Sequence, residues 1–173
     1  MTSTEREITE PVDLCLTSGR LNRAAVGWTR GPLHRTALTG WGRTKRWEYW
    51  GVVTPTYVIA LTVADLDYAA QHQVWVLDRA TGVEVDTVAV VPLGRGVVLP
   101  ASSGGGPARA HAKGLDIAID EGDRRTRLRA ATGRVEVDLV ASGTWTGWMT
   151  DDAGTRVRVD GVTGWAEEAR NRW

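Results

Sequence analysis

Phenylalanine is absent, and the 173 residues hold only one cysteine, three histidines and two methionines. Cys15 alone cannot close an internal disulfide, so this is no disulfide scaffold, and a lone thiol suits a reducing compartment such as the cytoplasm. An excess of charge is lacking too, since 21 Lys plus Arg balance 21 Asp plus Glu. That argues against a nucleic-acid partner, because phosphate recognition draws on a basic surplus that releases counterions. No apolar run approaches the ~20 residues of a membrane span. The first fifteen residues contain Glu5, Glu7, Glu10 and Asp13, which is not a secretory pattern. His34, His72 and His111 are widely spaced and isolated, so neither a metal site nor a cofactor is implied. A Gly-x-Ser-x-Gly elbow is missing, and the acidic neighbourhood of Cys15 argues against a nucleophilic thiol.

What the chain does have is tryptophan, nine of them, and strand-forming sequence nearly throughout. Indole is bulky and apolar but carries an N–H that needs a partner, so it sits well where an apolar wall meets water. The length allows one well-buried core rather than two domains. Lys45 to Val53 reads as an aromatic-rich strand ended by Thr54-Pro55. Thr56 to Ala64 (TYVIALTVA) is apolar on both faces, as in a doubly buried strand. Val74 to Leu77 and Val83 to Val91 continue that habit around the turn signal Asp78-Arg79-Ala80-Thr81-Gly82. Leu99 to Pro107 is a flexible loop whose glycine run lacks the spacing, lysine and helix of a phosphate cradle.

Strict alternation follows. Leu115, Ile117 and Ile119 alternate with polar or small residues, as do Val135, Val137 and Leu139, and Arg125, Arg127 and Arg129 alternate with Thr126, Leu128 and Ala130. A two-residue turn at Thr132-Gly133 predicts Arg129 opposite Glu136, Arg127 opposite Asp138 and Leu128 opposite Val137. A four-residue loop at Glu121 to Arg124 sets Ile117 opposite Leu128 and Asp116 opposite Arg129. Both registers put apolar residues on one side and charges on the other, so the basic run is an ion-paired outer face. A last hairpin pairs Thr144–Thr150 with Thr155–Val162 around the turn Asp151-Asp152-Ala153-Gly154. Gly164 to Trp173 (GWAEEARNRW) reads as a short helix, with Trp165 and Trp173 as anchors.

Some ten short strands indicate a sandwich or a barrel, and closure removes vulnerable edges. The expected architecture is all-β: a single antiparallel barrel domain over residues 1–173. Within it, 1–141 supply the barrel strands, 142–163 a closing hairpin and 164–173 a tail helix. Trp47, Trp50, Tyr57 and Trp75 are candidates for the wall of a ligand site. Asp65 and Asp67, two apart and hence on one strand face, are candidates to orient a polar group, with Tyr68 beside them. The plainer reading of the two carboxylates is strand-end and turn capping, and that of the aromatics is packing. No catalytic residue is identified.

Several segments resemble the bacterial family known as domain of unknown function 2804: Glu7 to Leu14 (EITEPVDL), Gly19 to Arg35 (GRLNRAAVGWTRGPLHR), Trp41 to Val53 (WGRTKRWEYWGVV) and Ala60 to Ala69 (ALTVADLDYA). Asp160 to Trp173 (DGVTGWAEEARNRW) is similar to that family's closing signature. The resemblance implies a calycin-like, lipocalin-like barrel, distantly similar to the paired barrels of the carotenoid hydratases. It implies no established catalytic residues. Family members are usually longer, and here the chain passes from Asp138-Leu139-Val140-Ala141 almost directly to the terminal hairpin, as if a second barrel were missing. The expected function is a barrel that binds a small apolar or amphipathic ligand. The alternatives are a hydratase- or isomerase-like enzyme on an apolar substrate, and a shortened, non-catalytic interaction module.

Overall fold

The structure is a computed structural model that describes residues 5–31, 33–35, 42, 44–100, 105–122 and 125–172. Near the N-terminus, β1 (Val12–Asp13) pairs in parallel with β2 (His34–Arg35). The main sheet holds β3 (Thr44–Val53), β4 (Tyr57–Asp65), β5 (Ala69–Asp78), β6 (Glu84–Pro92), β7 (Val97–Val98), β8 (Ala108–Ala112), β9 (Leu115–Gly122), β10 (Arg125–Thr132), β11 (Glu136–Ala141), β12 (Trp145–Thr150) and β13 (Arg156–Arg172). Its order is β6-β5-β4-β3-β13-β12-β11-β10-β9-β8-β7, and every pairing is antiparallel. One turn of 3-10 helix at Arg23–Ala25 is the only helix among the described residues.

The sheet curls until β4, β5 and β6 pack against β8, and one hydrophobic cluster draws on both arms. Val52, Ile59, Leu61, Val63, Val74 and Val76 of the first arm meet Leu115, Ile117, Ile119, Leu128, Leu139 and Met149 of the second in that cluster. Seven of the larger members are under 2 % exposed, so the interior is densely filled by aliphatic side chains. The edge strands β6 and β7 do not pair with each other, although only the turn at 93–96 separates them in the chain. The result is a half-barrel with a seam, all-β as expected.

The expected tail helix, closing hairpin and meander registers all differ in the structure. Gly164 to Arg172 is strand, not helix, and together with Thr163 it pairs with β3 at ten positions from Thr163↔Val53 to Arg172↔Thr44. The stretch Glu167 to Arg170 has good helix formers, but propensity is a weak prior and the ladder overrides it. The first part of β13 pairs with β12 and the second with β3, so one long strand stitches the two arms together. The stitch is thus made by 163–172, the presumed tail, and not by the hairpin 142–163. Two glycines allow this passage. Gly161 adopts φ +63°, and a Cβ on Gly164 would come 2.3 Å from the Gly51 carbonyl oxygen and 2.7 Å from the Trp145 indole nitrogen.

The meander β9–β10–β11 forms with its faces as expected but with each register moved by two. Arg129 lies opposite Asp138 and Leu128 opposite Leu139, and across the other hairpin Leu128 meets Ile119. The turn after β10 is longer than two residues because the Thr132 hydroxyl accepts from the N–H groups of Arg134 and Val135, at 3.1 and 2.9 Å. A shift of two preserves the face of every side chain. Arg127 therefore still grips Asp138, diagonally, through two bonds of 2.8 and 2.7 Å. That guanidinium holds the Asp138 carboxyl below the usual carboxylate range. Residues 101–104 of the expected loop, with Arg43 and the Trp173 anchor, lie outside the described residues.

Candidate functional site

The registers of β3, β4, β5, β6 and β13 define the inner face of the first arm as a series of cross-strand rows. The first row, Val52–Ile59–Val76–Val85, is wholly apolar. Next comes Trp50–Leu61–Val74–Thr87. The third row is Glu48–Val63–His72–Ala89, and the fourth is Arg170–Arg46–Asp65–Ala70–Val91. Thr44 and Asp67 close the series at the rim. The inner face therefore grades from aliphatic to ionic along the strands. The opposed arm has no such gradient, since Ala108, Ala110, Ile117, Ile119, Leu128, Ala130, Val137 and Leu139 are buried and apolar.

The polar end is built from mutually oriented groups. Arg46 bonds Asp65 at 2.8 Å with both side chains largely covered. The other Asp65 oxygen accepts from the Asp67 N–H at 2.9 Å, and the Asp67 carboxylate takes both the N–H and the hydroxyl of Thr44. This ties the start of β3 to the β4–β5 turn, where Asp67 adopts φ 65°. Arg170 donates to the Pro100 carbonyl at 2.7 Å. Deeper in, Glu48 is 3 % exposed and accepts from the Trp50 indole at 2.7 Å. Trp50 in turn meets Trp145 edge-on, with centroids 5.6 Å apart.

His72 stands out in this setting. It is 0 % exposed, and among the described residues neither ring nitrogen makes a hydrogen bond of ordinary geometry, the Gln71 backbone offering only a weak contact. Burial pushes its pKa down, so the ring is held neutral. A neutral imidazole keeps one donor and one acceptor, and leaving such groups unsatisfied inside a protein costs roughly 1–3 kcal/mol. Its row neighbours are Val63 and Ala89 and its inner neighbours along β5 are Ala70 and Val74. Two of the four are alanines, and β6, the strand beside it, borders the open seam.

The seven residues singled out from the sequence are distributed over several places. Trp50 and Asp65 belong to the graded inner face, with Asp67 at its rim. Tyr57 lies at the opposite, apolar end of β4, where its hydroxyl donates to Asp151 at 3.2 Å, and burial with the nearby Asp151 charge raises its pKa. It lines a cleft of about 260 Å³ with Val76, Val83, Val85 and Asp78. Trp47 projects from the outer face and donates to Glu167 at 3.1 Å, and Trp75 does the same toward Glu84 at 3.2 Å. Tyr68 is exposed beside the β4–β5 turn. The structure adds Glu48, His72, Arg46 and Arg170 to the inner set. A signal for His72 existed, since Ala70, His72, Val74 and Val76 alternate with Gln71, Gln73 and Trp75. That alternation assigns the histidine to the apolar side.

Residues 5–142 match the model of the family described as "Domain of unknown function (DUF2804)". The chain belongs to the DUF2804 family. The matched stretch runs from the N-terminal segment through β11, so it holds all of β3 to β6 and hence the graded face except Arg170. The β12–β13 hairpin lies outside the matched residues. No curated protein and no solved structure matches the chain.

Proposed function

We propose that this DUF2804 protein binds a small amphipathic ligand at the open seam, where displacement of the β6 edge brings a neutral hydroxyl to the buried His72 ring. The observation that supports this reading is the fully buried His72 ring, whose nitrogens make no hydrogen bond of ordinary geometry among the described residues. An alcohol oxygen donates and accepts, which complements a neutral imidazole, whereas a carboxylate only accepts and would approach Glu48 across Val63. Ligand sites are mostly apolar with a few placed polar groups, and the graded inner face has that composition. The seam between β6 and β7 is the entry route that needs no ladder to break.

The test follows the ring itself. With three histidines in the chain, side-chain ¹⁵N NMR resolves His72, and 1-decanol is titrated against n-decane. The expected outcome is a saturable shift of the His72 ring nitrogens with decanol and little with decane. Equal responses to the two, or none, would sink the proposal.

A second reading is an acid–base enzyme on an apolar substrate, in line with the distant similarity to carotenoid hydratases that the sequence suggested. It draws on the same row, where the Glu48 carboxylate and a neutral imidazole flank Val63 with backbones about 10 Å apart. In that case an unsaturated isoprenoid incubated with the protein gains the mass of one water, and Glu48→Gln abolishes the gain. Binding without any turnover favours the first reading, and neither binding nor turnover leaves the non-catalytic interaction module.

A further inference from the structure

The outer face of the same arm carries a separate feature. Its cross-strand rows are Trp165–Gly51–Ala60–Trp75, Glu167–Tyr49–Thr62–Gln73 and Ala169–Trp47–Ala64–Gln71. Aromatic side chains stand on β3 and β13, while β4 between them and β5 presents only Ala60, Thr62 and Ala64. Large residues beside a strip of small ones make a trough, and Lys45, Trp47, Tyr49, Thr62, Gln71 and Trp165 line about 430 Å³ of it. That falls in the range of ligand sites, roughly 300–1,000 Å³. Ala60 and Ala64 point outward yet are only 5 % exposed, because the neighbouring side chains lean over them.

The aromatic wall is held in place. Trp165 lies on Gly51, where any Cβ would come within 2.7 Å of the indole ring, so glycine there lets the ring lie flat on the strand. It remains 49 % exposed, and Tyr49 leans against it with centroids 5.9 Å apart and planes at 35°. Glu167 fixes Trp47 by its N–H, and the Lys45 ammonium sits 4.9 Å from the centre of the Trp47 ring. Burial, with Glu167 nearby, pushes the Tyr49 hydroxyl pKa up, so it stays a donor.

We infer that this trough is a saccharide-binding site, separate from the inner face. A pyranose ring has an apolar C–H face that stacks on an indole, and a rim of neutral hydroxyls that each donate and accept. The trough offers that combination: an exposed indole at the wall, a carboxylate acceptor, an ammonium donor, a carboxamide and a hydroxyl around it. The Glu167 carboxylate disfavours a phosphate backbone, and the chain has no basic surplus to offset it. A purely apolar ligand would leave Lys45, Gln71 and Glu167 without new partners.

The experiment uses the full chain and indole ¹H–¹⁵N NMR, titrating cellotriose, maltotriose and the oligonucleotide dT3 separately. At least one trisaccharide is expected to shift the Trp165 and Trp47 indole signals while those of Trp148 and Trp50 stay still. Trp165→Ala is expected to weaken that binding about tenfold. Gln71→Ala, a change at a partly buried site that leaves the aromatic wall intact, is expected to weaken it severalfold. Silence toward both trisaccharides, binding of dT3 alone, or equal affinity in the Trp165→Ala and Gln71→Ala variants overturns the inference. The decanol response of His72 is read in the same samples, so loss of either site is seen independently of the other.

Discussion

At the scale of single residues, the consequences of a neutral histidine in an aliphatic layer can be worked out with sign. The unfolded chain presents His72 with its ordinary pKa near 6.5, and burial lowers that value in the fold. Below about pH 6.5 the unfolded state therefore binds more protons than the folded one, and stability falls as the pH drops. Above that value the full stability is present. His72→Leu removes both the titration and the unsatisfied polar atoms while nearly conserving volume. The variant is expected to gain about 1 kcal/mol at pH 7 without ligand and to lose less stability than the wild type between pH 6.5 and 5. Urea denaturation at several pH values measures this, and parallel pH profiles for the two proteins would remove His72 as the cause. Much of the residue-level picture was readable beforehand. The division of Lys45, Trp47 and Tyr49 from Glu48 and Trp50 follows from strand alternation alone. What alternation could not say was which side of β3 faces inward, and His72, although alternation put it on the apolar side of β5, lacked row neighbours until β4 and β6 supplied them.

At the scale of elements, glycine positions separate what the chain requires from what it tolerates. A Cβ on Gly164 meets backbone at 2.3 Å and the Trp145 ring within 3.0 Å, and neither is the end of a flexible side chain. Gly164→Ala must push β13 away from β3 at the crossing between arms, and a loss of about 2–3 kcal/mol is expected. Gly133, by contrast, has open space around it, and Gly133→Ala is expected to stay within about 0.5 kcal/mol of wild type. Thermal melts of the two variants rank them, and equal effects would mean that the crossing is not close-packed. The same crossing explains the one element misread from sequence. Glu167, Glu168, Ala169 and Arg170 are ordinary helix formers, and nothing local marks them as strand. Their conformation is set by β3, more than a hundred positions earlier in the chain. The hairpins show the complementary case, because their faces are dictated locally while their registers depend on how many residues each turn consumes. The Thr132 side chain, by capping Val135 and Arg134, moved the register by two.

At the scale of the whole molecule, stability rests on one long-range joint. Every other pair of neighbours in the described main sheet is also consecutive in sequence, but β13 meets β3 across the full length of the barrel segment. Among the described residues those ten paired positions are the only ladder between the two arms, which otherwise touch through side chains. A chain ending at Val162 keeps every hairpin and loses the joint. It also leaves β3 with an unpaired edge in the middle of the sheet, flanked by Trp47, Tyr49 and Trp50. Contact between β5 or β6 and β8 across the interior then has to hold the arms alone, against the entropy of the long connection. The expected outcome is loss of the cooperative melt and association through the bared β3 edge, seen by light scattering. A monomeric, cooperatively melting 1–162 chain would show that the packed interior alone holds the arms. Because β6 and β7 already leave their facing edges unpaired in the intact fold, hydrogen exchange gives an internal control. The amides that bind β13 to β3 are expected to exchange slowest, and the outward amides of β6 fastest, with only the β13–β3 set changing rate class on truncation.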